Sequence, residues 1–498
     1  MENVWPMVLL GIQNCFHLPN LFFMVGGTSL GVIVGALPGL SATTGMVLLL
    51  PLTYGLPIQA GLLMLAGVYC GALYGGSISA VLIGIPGTAA ALATTFDGFP
   101  MTRQGKASEA LLYALYASAF GGVISAFVLM FLTPVIAKWA LKFGPPEIFA
   151  LGLWGMTVVS SIVGQDIVKG LVMAILGLLV STVGADPMEG YSRMTFGNFY
   201  LIGGFSFVPM VLGALAVPRV FDMAEKLNAR GKEYFSSSGT RKFFLKPREI
   251  LHYWVLLIKS AIIGVVVGIA PAAGPTIASF LSYNEAKRVS ADPSSFGNGN
   301  REGVIASETA NNGATGGSLV LALSIGIPGS AAAAILLGAV IMKGIQPGPM
   351  LLENNPETAF TFFAGFLFVN ILVFILGHFF IQIGFSIIKM PIKILAPVIF
   401  VTCVLGAFSA ENDIFNVYVM VIVGILAYLL GKMQFPMPPF ILALILGPIM
   451  EANFWASYLI SYGDYLIFFK RPLSMIFMII AILTLLTPLL VKKKKRST

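Results

Sequence analysis

Charge is scarce in this chain: Asp, Glu, Lys and Arg make up 10% of its 498 residues, against roughly 25% in ordinary soluble domains. With 57% hydrophobic residues and a mean hydropathy of +0.91, a soluble globular fold is excluded. Continuous apolar stretches of about 20 residues predict instead a polytopic helical membrane protein, and the alternating segments of about ten residues that mark a membrane β-barrel are missing. Cysteine is as sparse, and Cys15, Cys70 and Cys403 stand singly in apolar runs, which argues against a disulfide framework or a zinc site. His17, His252 and His378 are isolated too, and no His-Glu-x-x-His occurs. The start, Met1 to Pro6, has neither a basic n-region nor a small-residue cleavage site, so no removable signal peptide is expected. No Arg or Lys falls in the middle of an apolar span.

The basic charge that is present is clustered, first from Arg219 through Lys226, Arg230, Lys232, Arg241, Lys242 and Lys246 to Arg248, then at Lys492 to Arg496. Beside membrane spans such clusters point to cytoplasmic loops and anionic lipid, not to nucleic acid.

The chain also says nearly the same thing twice. Tyr74-Gly75-Gly76-Ser77 running on to Ile83-Gly84-Ile85-Pro86-Gly87-Thr88 is answered by Thr315-Gly316-Gly317-Ser318 running on to Ile325-Gly326-Ile327-Pro328-Gly329-Ser330. Upstream, Gly31 to Gly35 before Pro38 matches Gly264 to Gly268 before Pro271; downstream, Asp166-Ile167 matches Asp413-Ile414. A repeat whose shared residues are Gly, Pro, Ser and Thr predicts a secondary transporter with its site at broken helices. The expected fold is all-α, with two inverted repeats, broken or re-entrant helices and about 11–13 transmembrane segments. Its parts are an N-terminal segment (1–17), repeat 1 (18–225), a basic cytoplasmic connector (226–252), repeat 2 (253–465) and a final transmembrane helix with a basic cytoplasmic tail (466–498). The stretches 41–54, 83–95, 275–286 and 329–342 read as half-helices or re-entrant hairpins. Inversion is suggested by loop charge: Arg103 and Lys106 have Glu353 and Glu357 in the corresponding loop of the second half, while Lys287, Arg288 and Arg301 correspond to the uncharged turn at Leu56-Pro57. Glycines at every fourth position, Gly27, Gly31 and Gly35, then Gly67, Gly71 and Gly75, predict close helix packing.

Candidate site residues cluster at the breaks. Pro38 to Gly45 and Pro271 to Thr276 each end one helix and start another, offering N–H donors to a carboxylate, with Ser41, Thr43, Thr44 and Thr276 adding hydroxyls. Pro86, Gly87 and Thr88, and Pro328, Gly329 and Ser330, repeat the argument, with Ser77 and Ser318 upstream. Glu308, Asn311 and Asn312 form the most polar stretch inside a span, suited to a cation or a substrate carboxylate. A sodium ion is expected near Asn311, Asn312, Thr43 and Thr276, with no other cofactor. Asp97 reads as a loop-tip residue, and Asp166 and Asp413 as helix N-caps.

At these residues the chain resembles the large membrane subunit, TctA type, of the tripartite tricarboxylate transporters. The resemblance rests on Leu37 to Ser41, Tyr74 to Gly87, Phe96-Asp97-Gly98-Phe99-Pro100 and the run from Glu308 to Ser330, and covers nearly the whole chain. It implies import of di- or tricarboxylates on a Na+ or H+ gradient across the bacterial cytoplasmic membrane, with a small membrane subunit of TctB type and a periplasmic solute-binding protein of TctC type as partners. Relatives carry Asn where this chain has Gly84, so an amide ligand there would be absent. The competing readings are a stand-alone cation-coupled carboxylate symporter and a channel. An intramembrane enzyme has thin support, since Tyr462-Gly463-Asp464 lacks the Gly expected two residues before the Asp and no serine has a His base near it in sequence.

Overall fold

The computed structural model describes residues 4–37, 40–162, 167–186, 190–225, 244–271, 273–388 and 392–495. Pro38, Asp166 and most of the basic connector lie outside them. The chain is helical almost throughout: α1 Val4–Cys15, α2 Leu18–Ala36, α3 Ala42–Leu49, α4 Ile58–Ile83, α5 Leu92–Arg103, α6 Ala107–Ala140, α7 Pro145–Ile162 and α8 Ile167–Ser181. A two-residue hairpin, β1 Gly184–Ala185 with β2 Ser192–Arg193, precedes α9 Phe207–Val211 and α10 Val217–Glu225. There follow α11 Pro247–Leu251, α12 Trp254–Ile269, α13 Gly274–Val289, α14 Arg301–Ile325, α15 Ala331–Met342 and α16 Pro349–Asn354. The last are α17 Pro356–Ile388, α18 Ile392–Ser409, α19 Ile414–Lys432, α20 Pro438–Ile460, α21 Ile467–Lys470 and α22 Pro472–Lys495. Seven of the described helices are long and apolar enough to cross a membrane. Large apolar side chains such as Phe22, Phe127, Ile262, Ile375 and Leu426 stand exposed, as lipid-facing residues must.

Two compact units cut across the repeats, each taking the corresponding part of both: residues 1–136 with 219–400, and 137–218 with 401–498. In the first unit α2 runs parallel to α4, because Gly27, Gly31 and Gly35 lie against the backbone of Met64, Val68 and Ala72 in ascending order. Gly67, Gly71 and Gly75 complete the contact from the α4 side, as the spacing of four predicted. The second repeat builds the same pair, with Gly264 and Gly268 of α12 against Ala310 and Ala314 of α14. Each of these pairs is followed by a re-entrant tip. After α4 the chain turns back until the Gly87 N–H donates to the Gly76 carbonyl at 3.2 Å, and α5 then returns to the α4 end, where the Thr102 hydroxyl donates to the Val81 carbonyl at 2.7 Å. Gly76 lies seven residues before the helix end, so the tip reaches in by about 10 Å. In repeat 2 the Gly329 N–H donates to the Ser318 carbonyl at 3.1 Å.

These contacts also show that α4 and α14 run in opposite directions. The α5 side of the first repeat meets the start of α14, with the Gln104 amide donating to the Asn298 carbonyl at 2.8 Å. The α15 side of the second meets the start of α4, with the Lys343 ammonium donating to the carbonyls of Tyr54 (3.0 Å) and Leu56 (2.9 Å). Corresponding loops therefore lie at opposite ends of the unit, as inverted repeats require.

One register differs from the sequence match. Hydrogen bonding pairs Gly76 with Ser318, both acceptors from the glycine of a tip, whereas matching the Gly-Gly-Ser triplets pairs Gly76 with Gly317. A constant offset of 242 residues then relates α4 to α14 (Ala80 to Ala322, Gly84 to Gly326), and Ser77 has Leu319 as its partner in the repeat.

The second unit repeats the use of close glycine contacts, Gly177 on Phe440 and Gly213 on Met420. Its polar fastening is Arg193, paired with Asp186 at 3.1 Å and with Glu451. Asp413 caps α19 through the Phe415 N–H at 2.9 Å, as its position before an apolar run predicted.

Candidate functional site

Each break is made by local chemistry. The end of α4 needs a left-handed residue, and Gly84 supplies it at φ 66°; Gly326 does the same for α14 at φ 83°. Asn is the side chain that tolerates this conformation best after Gly, so an Asn at position 84 would answer the same backbone demand without being a ligand. Pro86 and Pro328 then prevent the helix from resuming, and the tip descends to Thr88 or Ser330. Ser330 caps α15, its hydroxyl accepting from the Ala333 N–H at 3.1 Å. Among the described residues Thr88 makes no cap bond and its buried hydroxyl has no hydrogen-bond partner.

The other break brings Ser41 to the N-terminus of α3, where its hydroxyl accepts from the Thr44 N–H at 3.1 Å and lies 2.6 Å from the Thr43 and 2.9 Å from the Thr44 hydroxyl. Thr276 occupies the first turn of α13, and Ser330 lies beside Gly274 at the start of that helix. Helix α3 packs on α15 and α13 packs on residues 89–91, so each helix that starts at a break meets the segment that follows the tip of the other repeat. Tyr69 joins this contact from α4, its hydroxyl 3.3 Å from Ser318 and 3.2 Å from Ser330.

Helix α14 carries the polar row. Ser307, Glu308, Thr309, Asn311, Asn312, Thr315 and Ser318 are all 0–1% exposed, so the row is sheltered by protein and does not face lipid. Its polarity also explains why α14, though 25 residues long, is not among the seven apolar spans. The Glu308 carboxylate accepts from the Thr94 hydroxyl of α5 and, at 2.9 Å, from the Ser118 hydroxyl of α6. Gly121, one turn beyond Ser118, lets α6 approach the α14 backbone at Thr309 closely enough for that bond. A helix cap in a headgroup-level loop is excluded for Glu308 by its complete burial within the helix.

The candidates do not all converge. Asn312 turns along its own helix, its amide nitrogen donating to the Glu308 carbonyl at 3.2 Å. Among the described residues no hydrogen bond joins Thr43 or Thr276 to Asn311 or Asn312.

Asp97 corrects the loop-tip expectation. It lies inside α5 with no exposure; one carboxylate oxygen accepts from the N–H groups of Gly297 (2.9 Å), Gly299 (2.9 Å) and Asn300 (2.8 Å), and the other from the Tyr283 hydroxyl at 2.9 Å. The carboxylate thus fixes the turn from which α14 departs. Its partners lie some 200 residues away in sequence, and the only local signal was an acidic residue among aromatic and Gly neighbours.

Two inverted repeats, each with a polar re-entrant tip inside an otherwise apolar body, define a secondary transporter fold. The chain belongs to the tripartite tricarboxylate transporter TctA family, whose pattern matches residues 21–442. It is 34% identical over 474 residues, 95% of this chain and 94% of the other, to an uncharacterized 52.8 kDa protein in the TAR-I ttuC' 3' region of Agrobacterium vitis. A second protein of that organism, uncharacterized and in the TAR-II ttuC' 3' region, is 34% identical over 211 residues, 42% of this chain and 87% of the other. No solved structure matches.

Proposed function

We propose that the chain is the membrane subunit of a cation-coupled importer of di- or tricarboxylates, fed by a separate solute-binding protein and seated in the bacterial cytoplasmic membrane beside a small second subunit. The observation that carries this reading is the pair of helices that start at breaks, α3 and α13, each packed against the segment that follows the tip of the opposite repeat. Such a place offers N–H donors, a positive dipole end and hydroxyls to an anion, and the only ionisable side chain in the polar row is the acidic Glu308. A carboxylate substrate is then met by dipoles and hydroxyls, and a co-bound cation offsets its charge. Membership of a transporter family supports reading the chain as a transporter and not an enzyme.

Capture at low concentration is assigned to the partner, because the longest polar stretch, the connector of about 30 residues, is too short for a binding domain of about 50 or more. Reconstituted alone or with only the small subunit, the chain should show little uptake at micromolar carboxylate and gain it when the cognate binding protein is added, since a docked partner raises the effective concentration at the membrane site. Robust saturable uptake by the chain alone would favour a stand-alone symporter. Sidedness has its own test: single cysteines at Gln104 and Asn354 in sealed cells should label from opposite faces, Gln104 from the cytoplasm. Labelling of both from one side would remove the assignment.

A further inference from the structure

The two repeats have unequal interiors. Tyr69 and Asn311 occupy equivalent positions, each seven residues before the carbonyl, Gly76 or Ser318, that receives a tip. In one copy the Tyr69 side chain crosses to Ser318 and Ser330 and closes the space beside the tip. In the other the side chain is the shorter Asn311, and among the described residues both its amide atoms, the Thr88 hydroxyl and the Tyr74 hydroxyl have no hydrogen-bond partner. Asn311 and Tyr74 have no exposure and Thr88 has 4%. The equivalence places Asn311 opposite Gly76 and Thr88, and α14 packs on the turn 89–91 that follows Thr88.

Beside these groups is Glu308, one turn before Asn311 on α14, its carboxylate within reach of the Ser77 and Asn311 side chains and its charge felt at the Tyr74 hydroxyl. Among the described residues no cationic side chain pairs with it. Leaving this many buried polar atoms unpaired is costly unless a ligand satisfies them. A carboxylate, an amide oxygen and hydroxyls are the ligands a small hard cation takes. Protonation of Glu308 alone would leave Asn311, Thr88 and Tyr74 unexplained, and one carboxylate balances one positive charge.

We propose that Glu308, Asn311 and Thr88, with Ser77 and Tyr74 around them, form a single Na+ site at the tip of the first repeat, and that Tyr69 closes its counterpart in the second. The role of this ion as the coupling cation rests on the transport reading above; its binding does not.

The test uses the purified full chain at constant ionic strength, with NaCl replacing choline chloride and KCl as a control, and reads thermal stability and sodium-22 binding. Saturable stabilisation by Na+ and not K+ is expected. Asn311→Ala and Thr88→Val should each raise the half-saturating concentration by about tenfold or more, the scale on which support of a metal site matters. Glu308→Gln should abolish the response, while Tyr69→Phe keeps it; if Glu308→Gln fails to fold, the other two variants decide. An unresponsive wild type, or a response undiminished in both Asn311→Ala and Thr88→Val, would overturn the proposal. Carboxylate uptake that is gradient-driven but indifferent to Na+ would remove the coupling role of the site and leave the transport reading. Na+ binding without any carboxylate uptake would do the reverse.

Discussion

Replacing Asp97 by alanine is expected to cause the largest loss of stability of any single substitution in the first unit. The change removes four hydrogen bonds to a buried carboxylate and leaves the N–H groups of Gly297, Gly299 and Asn300 without their acceptor. Each orphaned group costs about 1–3 kcal/mol, so a total of about 3–9 kcal/mol is expected, on the scale of whole-protein stability. The measurement is the yield of monodisperse protein in mild detergent and its thermal midpoint. Asp97→Asn keeps one acceptor oxygen and should fall between wild type and alanine. A midpoint for Asp97→Ala within a degree or two of wild type would show that the turn before α14 does not depend on this carboxylate.

Gly87→Ala should have the largest effect on transport at the smallest cost in chemistry. A Cβ there would overlap the carbonyl oxygen of Gly35 and crowd the Ser79 hydroxyl at 2.8 Å, so the tip must move away from α2. Overpacking of this kind costs about 1–3 kcal/mol, and the displaced tip carries Thr88 with it. Uptake by the complete system is expected to fall by about tenfold or more, since each 1.4 kcal/mol is a factor of ten. Gly26→Ala serves as the control, because nothing lies within 4 Å of a Cβ at that position. Equal uptake by the two variants would mean that the contact between tip and α2 is irrelevant to the transport cycle.

Much of this architecture was legible before any coordinates. The paired Gly-Ile-Pro-Gly segments announced the breaks because Gly and Pro act on the backbone locally, and the loop charges announced inversion because they report which end of a helix meets the cytoplasm. What could not be read was whatever depends on partners distant in sequence. The triplet match set Gly76 against Gly317 because identity is greatest there, but the carbonyl that holds the tip belongs to Ser318. The same one-residue error hid the equivalence of Tyr69 with Asn311. Asp97 looked like a surface residue because acidic residues beside Gly usually are, and its three N–H donors come from the other repeat. The half-helix expected at 83–95 was right about the break and early about the helix, since extended chain and a 3-10 turn at Ala89–Ala91 intervene before α5.

The two ends of the first unit are fastened by charges of opposite sign. At one end the Asp97 carboxylate of the first repeat grips backbone N–H groups of the second; at the other the Lys343 ammonium of the second grips backbone carbonyls of the first. Two copies of the first half would set a carboxylate against carbonyls, and two copies of the second would set an ammonium against N–H groups. Each half is therefore mismatched with a copy of itself and matched to the other, so the two repeats form an obligate heteropair within one chain.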